Sequence, residues 1–231
     1  MIQGRSPSRS QGSSEKSERG APRRRRTPES AAAVVAVGLT GGIGAGKSTA
    51  LSMFRDLGAL TVSADQVVHA LYARPEFRDR VVARFGQSVL DSEGAVDRGR
   101  LADSVRGDAR ALRWLEKLTH PAVAEEIERC IKEAPPGTVI VCEVPLLFET
   151  GSQGLFDLVV TVEAALENRR RRCIHRFDPA VFVRFEELQA CTDERVAGSD
   201  LVYLNDGDVE RLSEFVRGTY ARAQELLEEL S

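Results

Sequence analysis

Residues 41 to 48 read Gly-Gly-Ile-Gly-Ala-Gly-Lys-Ser, directly after the apolar run Ala31–Leu39. Glycines at 41, 42, 44 and 46 let a tight loop turn successive N–H groups toward one point, where phosphate oxygens can sit at the start of a helix. Lys47 supplies a point charge for β- and γ-phosphates. Ser48 offers a hydroxyl to Mg²⁺, an ion that keeps several waters and takes one or two protein ligands beside the phosphates. Gly42, Ile43, Gly44, Ala45, Gly46, Lys47, Ser48 and Thr49 are therefore expected to cradle a nucleoside triphosphate. The competing reading is a flexible glycine loop without a ligand, and context separates the two, because a cradle needs a buried strand before it and an amphipathic helix after it.

Three further groups of side chains could do chemistry. Asp65 follows the short apolar run Ala59–Val62, at the carboxyl edge where open α/β sheets place their ligands. It could accept a proton, or simply cap a helix over Gln66–Ala73. Thr138–Cys142 is a β-branched run that ends in Glu143. A carboxylate at such a tip can orient a water on Mg²⁺ or a substrate group, the alternatives being a helix N-cap or a buried ion partner. Arg169, Arg170, Arg171, Arg172 and Arg176 fall within eight residues of expected helix, so those three and four apart share a face. Charge runs are usually solvated surface, yet five like charges this close repel unless an anion neutralises them; Arg172 and Arg176 are the preferred phosphate contacts.

The elements needed to position these groups are legible. Ala33–Leu39 suits a strand buried on both faces, and Leu51, Phe54 and Leu57 recur at helical spacing until Gly58. From Gln66 to about Glu133 apolar residues keep a helical period with no strand between them, which is longer than a simple crossover of about a dozen residues and reads as an inserted substrate-binding subdomain. Pro135-Pro136-Gly137 breaks the chain before the third strand; Leu155–Val162 and Leu201–Leu204 supply two more, and Val209–Leu230 a closing amphipathic helix. The alternation predicts an α/β fold with a five-stranded, mostly parallel sheet and helices on both faces.

At 231 residues and 42% hydrophobic, the chain can bury one elaborated domain. The first thirty residues carry eight basic and three acidic side chains, a net of +5, which leaves −8 on the remainder from the formal −3. An acidic body argues against a broad nucleic-acid face, and the Ser/Arg-rich tail, residues 1–33, lacks the apolar residues to order it. Arg23–Arg26 before Ala31–Leu39 imitates a secretory signal, but that run feeds straight into the glycine loop and reads as a core strand. An organelle transit peptide, against which three glutamates count, and a start placed too far upstream remain as alternatives. No run approaches the roughly 20 apolar residues of a membrane span. Cys130, Cys142, Cys173 and Cys191, like His69, His120 and His175, lack metal-ligand spacing, so four reduced thiols in a cytoplasmic protein and no structural zinc are expected.

With these residues in view, the chain resembles the dephospho-coenzyme A kinase family along nearly the whole domain, residues 34–231. Val37-Gly38-Leu39-Thr40-Gly41-Gly42-Ile43 is similar to the family's lead-in to its phosphate loop, and Ala64-Asp65 to the end of its Asp-Ala-Asp motif, with Ser63 replacing the first aspartate. Further matches are Asp97-Arg98 with Leu101, Leu115-Glu116 with His120-Pro121, and Pro145-Leu146-Leu147-Phe148-Glu149. Arg172 and Arg176 fall where the family carries paired lid arginines, within about residues 165–195, although Phe177 stands where a polar residue is usual. Gln189, Arg195, Asp200 and Asn205 match its closing pattern, with Asn205 beside the adenine of ATP.

The resemblance implies transfer of the γ-phosphoryl of ATP·Mg²⁺ to the ribose 3′-hydroxyl of dephospho-CoA. Lys47, Mg²⁺ on Ser48, and Arg172 would shield the migrating group, and Asp65 would accept or orient the hydroxyl. Arg98 and His120 in the helical insertion, about residues 66–135, would bind the acceptor's phosphates, with Glu143 also on the substrate side; His120 could equally be a helix N-cap before Pro121. Rival readings are a kinase of another small acceptor, of nucleoside monophosphate or shikimate type, and a nucleotide switch, which would need an Asn-Lys-x-Asp stretch where Asn168 instead begins an arginine run. No nucleic-acid, membrane or obligate protein partner is expected.

Overall fold

Runs of valine, leucine, isoleucine and threonine form five strands, β1 (Val34–Thr40), β2 (Leu60–Ser63), β3 (Thr138–Glu143), β4 (Leu158–Glu163) and β5 (Leu201–Leu204), in the computed structural model, which describes residues 33–175 and 178–231. The tail expected over residues 1–33 lies, Ala33 apart, outside the described residues, and so do Arg176 and Phe177. The strands pair in the order β2-β3-β1-β4-β5. Every pairing among them is parallel, so the sheet expected to be mostly parallel is wholly so among the described residues. Parallel neighbours require crossovers, and helices supply them: α1 (Lys47–Asp56), α2 (Ala64–Ala73), α3 (Pro75–Phe85), α4 (Arg98–Val105), α5 (Ala109–Glu133), α6 (Leu166–Cys173), α7 (Pro179–Leu188), α8 (Thr192–Ala197) and α9 (Val209–Glu229).

The period of two along β1 sorts its side chains between two cores. Val35, Val37 and Leu39 pack on one face with Phe54 of α1 and Leu212 and Val216 of α9. Ala36 faces the other way, toward Ile127 and Ile131 of α5. Each large side chain so buried contributes about 1.5–3 kcal/mol. A separate cluster of Tyr72, Val81, Leu101 and Leu118 packs α2–α5 against one another, giving the stretch between β2 and β3 a core of its own.

Two aspartates fix where strands begin. Asp157 Oδ2 accepts the Ala36 N–H at 2.8 Å and Asp200 Oδ2 accepts the Val159 N–H at 2.8 Å. With these entry ends pinned, the exit ends align at one edge, where Leu39 stands beside Glu143.

Several boundaries differ from the sequence reading. β4 starts at Leu158, because Ser152–Leu155 winds into a short 3₁₀ turn. The helix expected from Gln66 begins at Ala64 with Ser63 as its N-cap residue, so Asp65 lies inside the first turn and is not the cap. α5 runs unbroken through Pro121, which places His120 in a helix interior and removes the N-cap reading. Leu90 and Val96 form an isolated antiparallel bridge inside the otherwise helical stretch.

Candidate active site

The loop between β1 and α1 has a conformation that glycine alone tolerates. Gly41 has φ +140, and a Cβ there would lie 1.9 Å from the Val162 carbonyl oxygen. Gly46 has φ +110, with Asn205 Nδ2 2.4 Å from where its Cβ would be. Within the loop the Ala45 N–H donates to Gly42 O at 3.1 Å, and the first helical bond runs from the Ala50 N–H to Gly46 O at 3.0 Å. The first-turn amides of Lys47, Ser48 and Thr49 therefore have no intrahelical acceptor, the arrangement that suits an anion.

Polar side chains hold the loop, Gln189 from within the cleft lining and Asn205 and Arg172 from outside it. The Ile43 N–H donates to Gln189 Oε1 at 2.8 Å. Asn205 Nδ2 donates to Ala45 O at 2.7 Å. Arg172 Nη2 donates to Asn205 O at 2.8 Å, with its Nη1 3.4 Å from Ala45 O. Arg172 and Asn205 thus meet at Ala45 and are absent from the described cleft lining, which they were expected to serve through phosphate and adenine contacts. Arg176, the other arginine expected to touch ATP, is outside the described residues.

In front lies a cleft of about 410 Å³ lined by Ile43, Gly44, Lys47, Ser48, Asp65, Arg98, His120 and Glu143, so eight expected site residues converge on one space. Lys47 is buried, and its Nζ donates to Gly41 O at 2.9 Å and Gly42 O at 3.1 Å. Burial pulls its pKa down from 10.5, opposed by the carboxylates of Glu143 and Glu163. Burial likewise pushes Glu143 above the ordinary carboxylate value, opposed by Lys47 and by a hydrogen bond from Ser48. No helix follows β3 directly, so of the alternatives for Glu143 the helix N-cap is removed, and the buried carboxylate lies within electrostatic reach of Lys47.

Across the cleft, Asp65 and Arg98 come from the starts of α2 and α4, 4.0 Å apart, with side chains 75% and 52% exposed. Asp97 caps α4 by accepting the Arg100 N–H at 2.9 Å, and buried Leu101 anchors that helix. The matched Asp97-Arg98 and Leu101 therefore divide the work: cap and core residues hold the arginine at the rim. His120 is half-buried on α5.

Two arginines that the sequence offered only within a charge run or a family pattern are buried ion-pair partners. Arg169 makes a two-pronged ion pair with Glu186 of α7, and its Nε donates to Ala164 O at 3.0 Å. It is one of five arginines in a run, but buried Cys173 four residues on marks its helix face as the inner one. Arg195 pairs with Glu163 at the tip of β4, the two side chains being 2% and 3% exposed. No local signal distinguishes Arg195; its partner is far away in sequence.

A sequence model described as dephospho-CoA kinase matches residues 35–211 of the chain. The dephospho-CoA kinase of Aquifex aeolicus is 38% identical over 198 residues, covering 84% of this chain and 97% of that protein. That of Moorella thermoacetica is 35% identical over 195 residues, covering 81% and 92%. Among solved structures, TT1252 from Thermus thermophilus superposes with a TM-score of 0.68 at 29% identity over 81% of this chain and 97% of its own. The dephospho-CoA kinase from Campylobacter jejuni shares the fold, with a TM-score of 0.58 at 21% identity over 82% of this chain and 97% of its own. A glycine cradle closed by Lys47, a cleft with carboxylates on both walls and relatives matched over nearly their full length lead to one conclusion: the chain belongs to the dephospho-CoA kinase family.

Proposed function

We propose that the protein transfers the γ-phosphoryl group of ATP to the ribose 3′-hydroxyl of dephospho-CoA, giving coenzyme A and ADP. The observation that carries this reading is the convergence of Lys47, Ser48 and Glu143 with Asp65, Arg98 and His120 on one cleft. Family membership sets aside a nucleoside monophosphate or shikimate as the acceptor. Phosphoryl transfer asks a protein for positioning and charge neutralisation more than for covalent chemistry, and the two walls divide these tasks.

On the loop wall, residues 42–49 hold the triphosphate, with the first-turn amides of α1 directed at its oxygens. Lys47 exchanges its loop carbonyls for phosphate oxygens, and the incoming negative charge favours its protonated form. Ser48 and Glu143 form a hard-oxygen pair fitting Mg²⁺, which would neutralise charge on the phosphates when bound. Arg172, beside Ala45, and Arg176 add positive charge, and Asn205 supports the loop's adenine side. On the opposite wall Asp65 accepts or orients the 3′-hydroxyl proton, its exposure leaving room for the sugar. Arg98 and His120 take the acceptor's phosphates.

In this reading residues 34–231 form the catalytic domain, the helices between about 66 and 135 are the acceptor-binding insertion, and about 165–195 are the lid. The four cysteines are free, in keeping with a reducing, cytoplasmic setting, and no described helix is long and apolar enough to cross a membrane. The test is an incubation with Mg²⁺ and ATP in which dephospho-CoA, adenosine, AMP and shikimate are offered separately. ADP release with an 80-dalton gain, one phosphoryl group, on dephospho-CoA alone is expected; transfer to shikimate or AMP instead would overturn the assignment.

A further inference from the structure

Gln189 uses its whole side-chain amide on three backbone groups. Its Oε1 accepts the Ile43 N–H at 2.8 Å, while its Nε2 donates to Gly41 O at 3.2 Å and to Pro145 O at 2.9 Å. One acceptor and two donors are what a glutamine has, and none is left over for solvent on the N–H side. The Gly41 carbonyl is a shared point, because Lys47 Nζ also donates to it at 2.9 Å. Gln189 stands where α7 ends. Its neighbour strengthens the attachment: the Ala190 N–H donates to the Glu149 carboxylate, and the Ala190 carbonyl accepts from Arg195. One turn earlier in α7, Glu186 is joined to Arg169 of α6, whose Nη1 lies 3.5 Å from the Ile43 carbonyl. The α6–α7 pair therefore grips residue 43 by its N–H through Gln189 and approaches its carbonyl through Arg169.

We propose that Gln189 is a positioning residue for phosphoryl transfer: it fixes the peptide plane ahead of Ile43, and so couples the α6–α7 pair to the conformation of the phosphate loop and to the lodging of Lys47. The inference deepens the function proposed above, and its kinetic arm rests on that reading. A glutamate of the same shape would still accept from Ile43, but it would set a carboxylate oxygen against the Gly41 and Pro145 carbonyls. Protonation would restore one donor. The charge state of an introduced carboxyl group thus reads out whether these hydrogen bonds matter.

The experiment uses the full chain with Gln189→Glu and Gln189→Met, each checked by thermal melting. Affinity for MgADP and steady-state transfer to dephospho-CoA are measured between pH 6 and 8.5. At pH 8, Gln189→Glu is expected to lose about tenfold or more in MgADP affinity and in kcat, with the KM for dephospho-CoA nearly unchanged. The loss should shrink several-fold toward pH 6 relative to the unaltered protein. Gln189→Met should lose a similar amount at every pH. Unaltered affinity and turnover in Gln189→Glu, or a deficit in it that ignores pH as that of Gln189→Met does, would overturn the proposal. Should Gln189→Glu fail to fold, the MgADP affinity of Gln189→Met decides: a loss supports the role and an unchanged value rejects it. A native protein that binds MgADP without transferring phosphate to dephospho-CoA would instead overturn the reaction, leaving the ADP affinities to judge Gln189 by themselves.

Discussion

On the loop side of the cleft, Lys47 and Glu143 are buried, the loop carbonyls are held by Lys47, Gln189, Asn205 and Arg172, and a buried Arg195–Glu163 pair lies beneath. On the helical side, Asp65 and Arg98 stand in solvent with 4.0 Å between them. The contrast teaches how one cleft can serve two substrates. A wall whose dipoles are already fixed needs little reorganisation when charge develops on a triphosphate. A wall of hydrated charges gains strength only when a ligand displaces the water, so its groups can wait apart at little cost to stability.

If that contrast holds, the largest single loss comes from the buried layer. Arg195→Met leaves Glu163 charged and unpartnered in the interior, where breaking such a pair costs about 3–5 kcal/mol. The melting temperature should fall by about 10 °C, read by calorimetry. A fall of one or two degrees would mean that the loop side is less rigidly built than its contacts indicate. Asp65→Asn, on the exposed wall, should leave melting and ATP affinity nearly unchanged while turnover drops on the order of a hundredfold, the range for losing a positioned proton acceptor. Near-normal turnover would remove Asp65 from the chemistry.

Arg98→Ala should raise the KM for dephospho-CoA about tenfold with kcat little altered, since a charge-assisted contact to a phosphate is lost from binding alone. A kcat effect without a KM effect would break the assignment of that wall to the acceptor. The smallest effect is expected at Glu126 on α5, whose carboxyl is held down to about 2 by hydrogen bonds from Arg129 and then Arg74. Its folded pKa lies below its unfolded value near 4.5, so its contribution is complete above that pH and fades as pH falls toward 2. Glu126→Gln should lower the neutral-pH melting temperature by about 2–4 °C at most, with the difference from the native protein closing in acid.

The two walls also differed in how far they could be read from the sequence. The loop was legible because its geometry admits so few residues: positive φ at Gly41, Gly44 and Gly46 and a strand that must be apolar on both faces leave a local mark. What supports the loop was not, since Gln189 lies 146 residues from Ile43 and Asn205 lies 160 from Ala45, and nothing near either residue announces its partner. His120 shows the opposite failure. Pro121 is a local signal for a helix start, yet burial of Leu118 on one side and Ile127 on the other holds the helix straight through it. Arg172 was placed near the nucleotide from its arginine run and Asn205 on resemblance, and the geometry adds that both touch the loop at Ala45.

That same long helix has a mechanical meaning. The front half of α5 gives Leu118 to the helical cluster, and its rear half gives Ile127 and Ile131 to the sheet. A single rod thus spans two bodies, with the ring of Pro121 withdrawing one rung of its ladder at the joint and His120 mounted beside the gap. Any swing of the front body must flex this beam, and the missing rung sets the cheapest fulcrum within reach of the cleft.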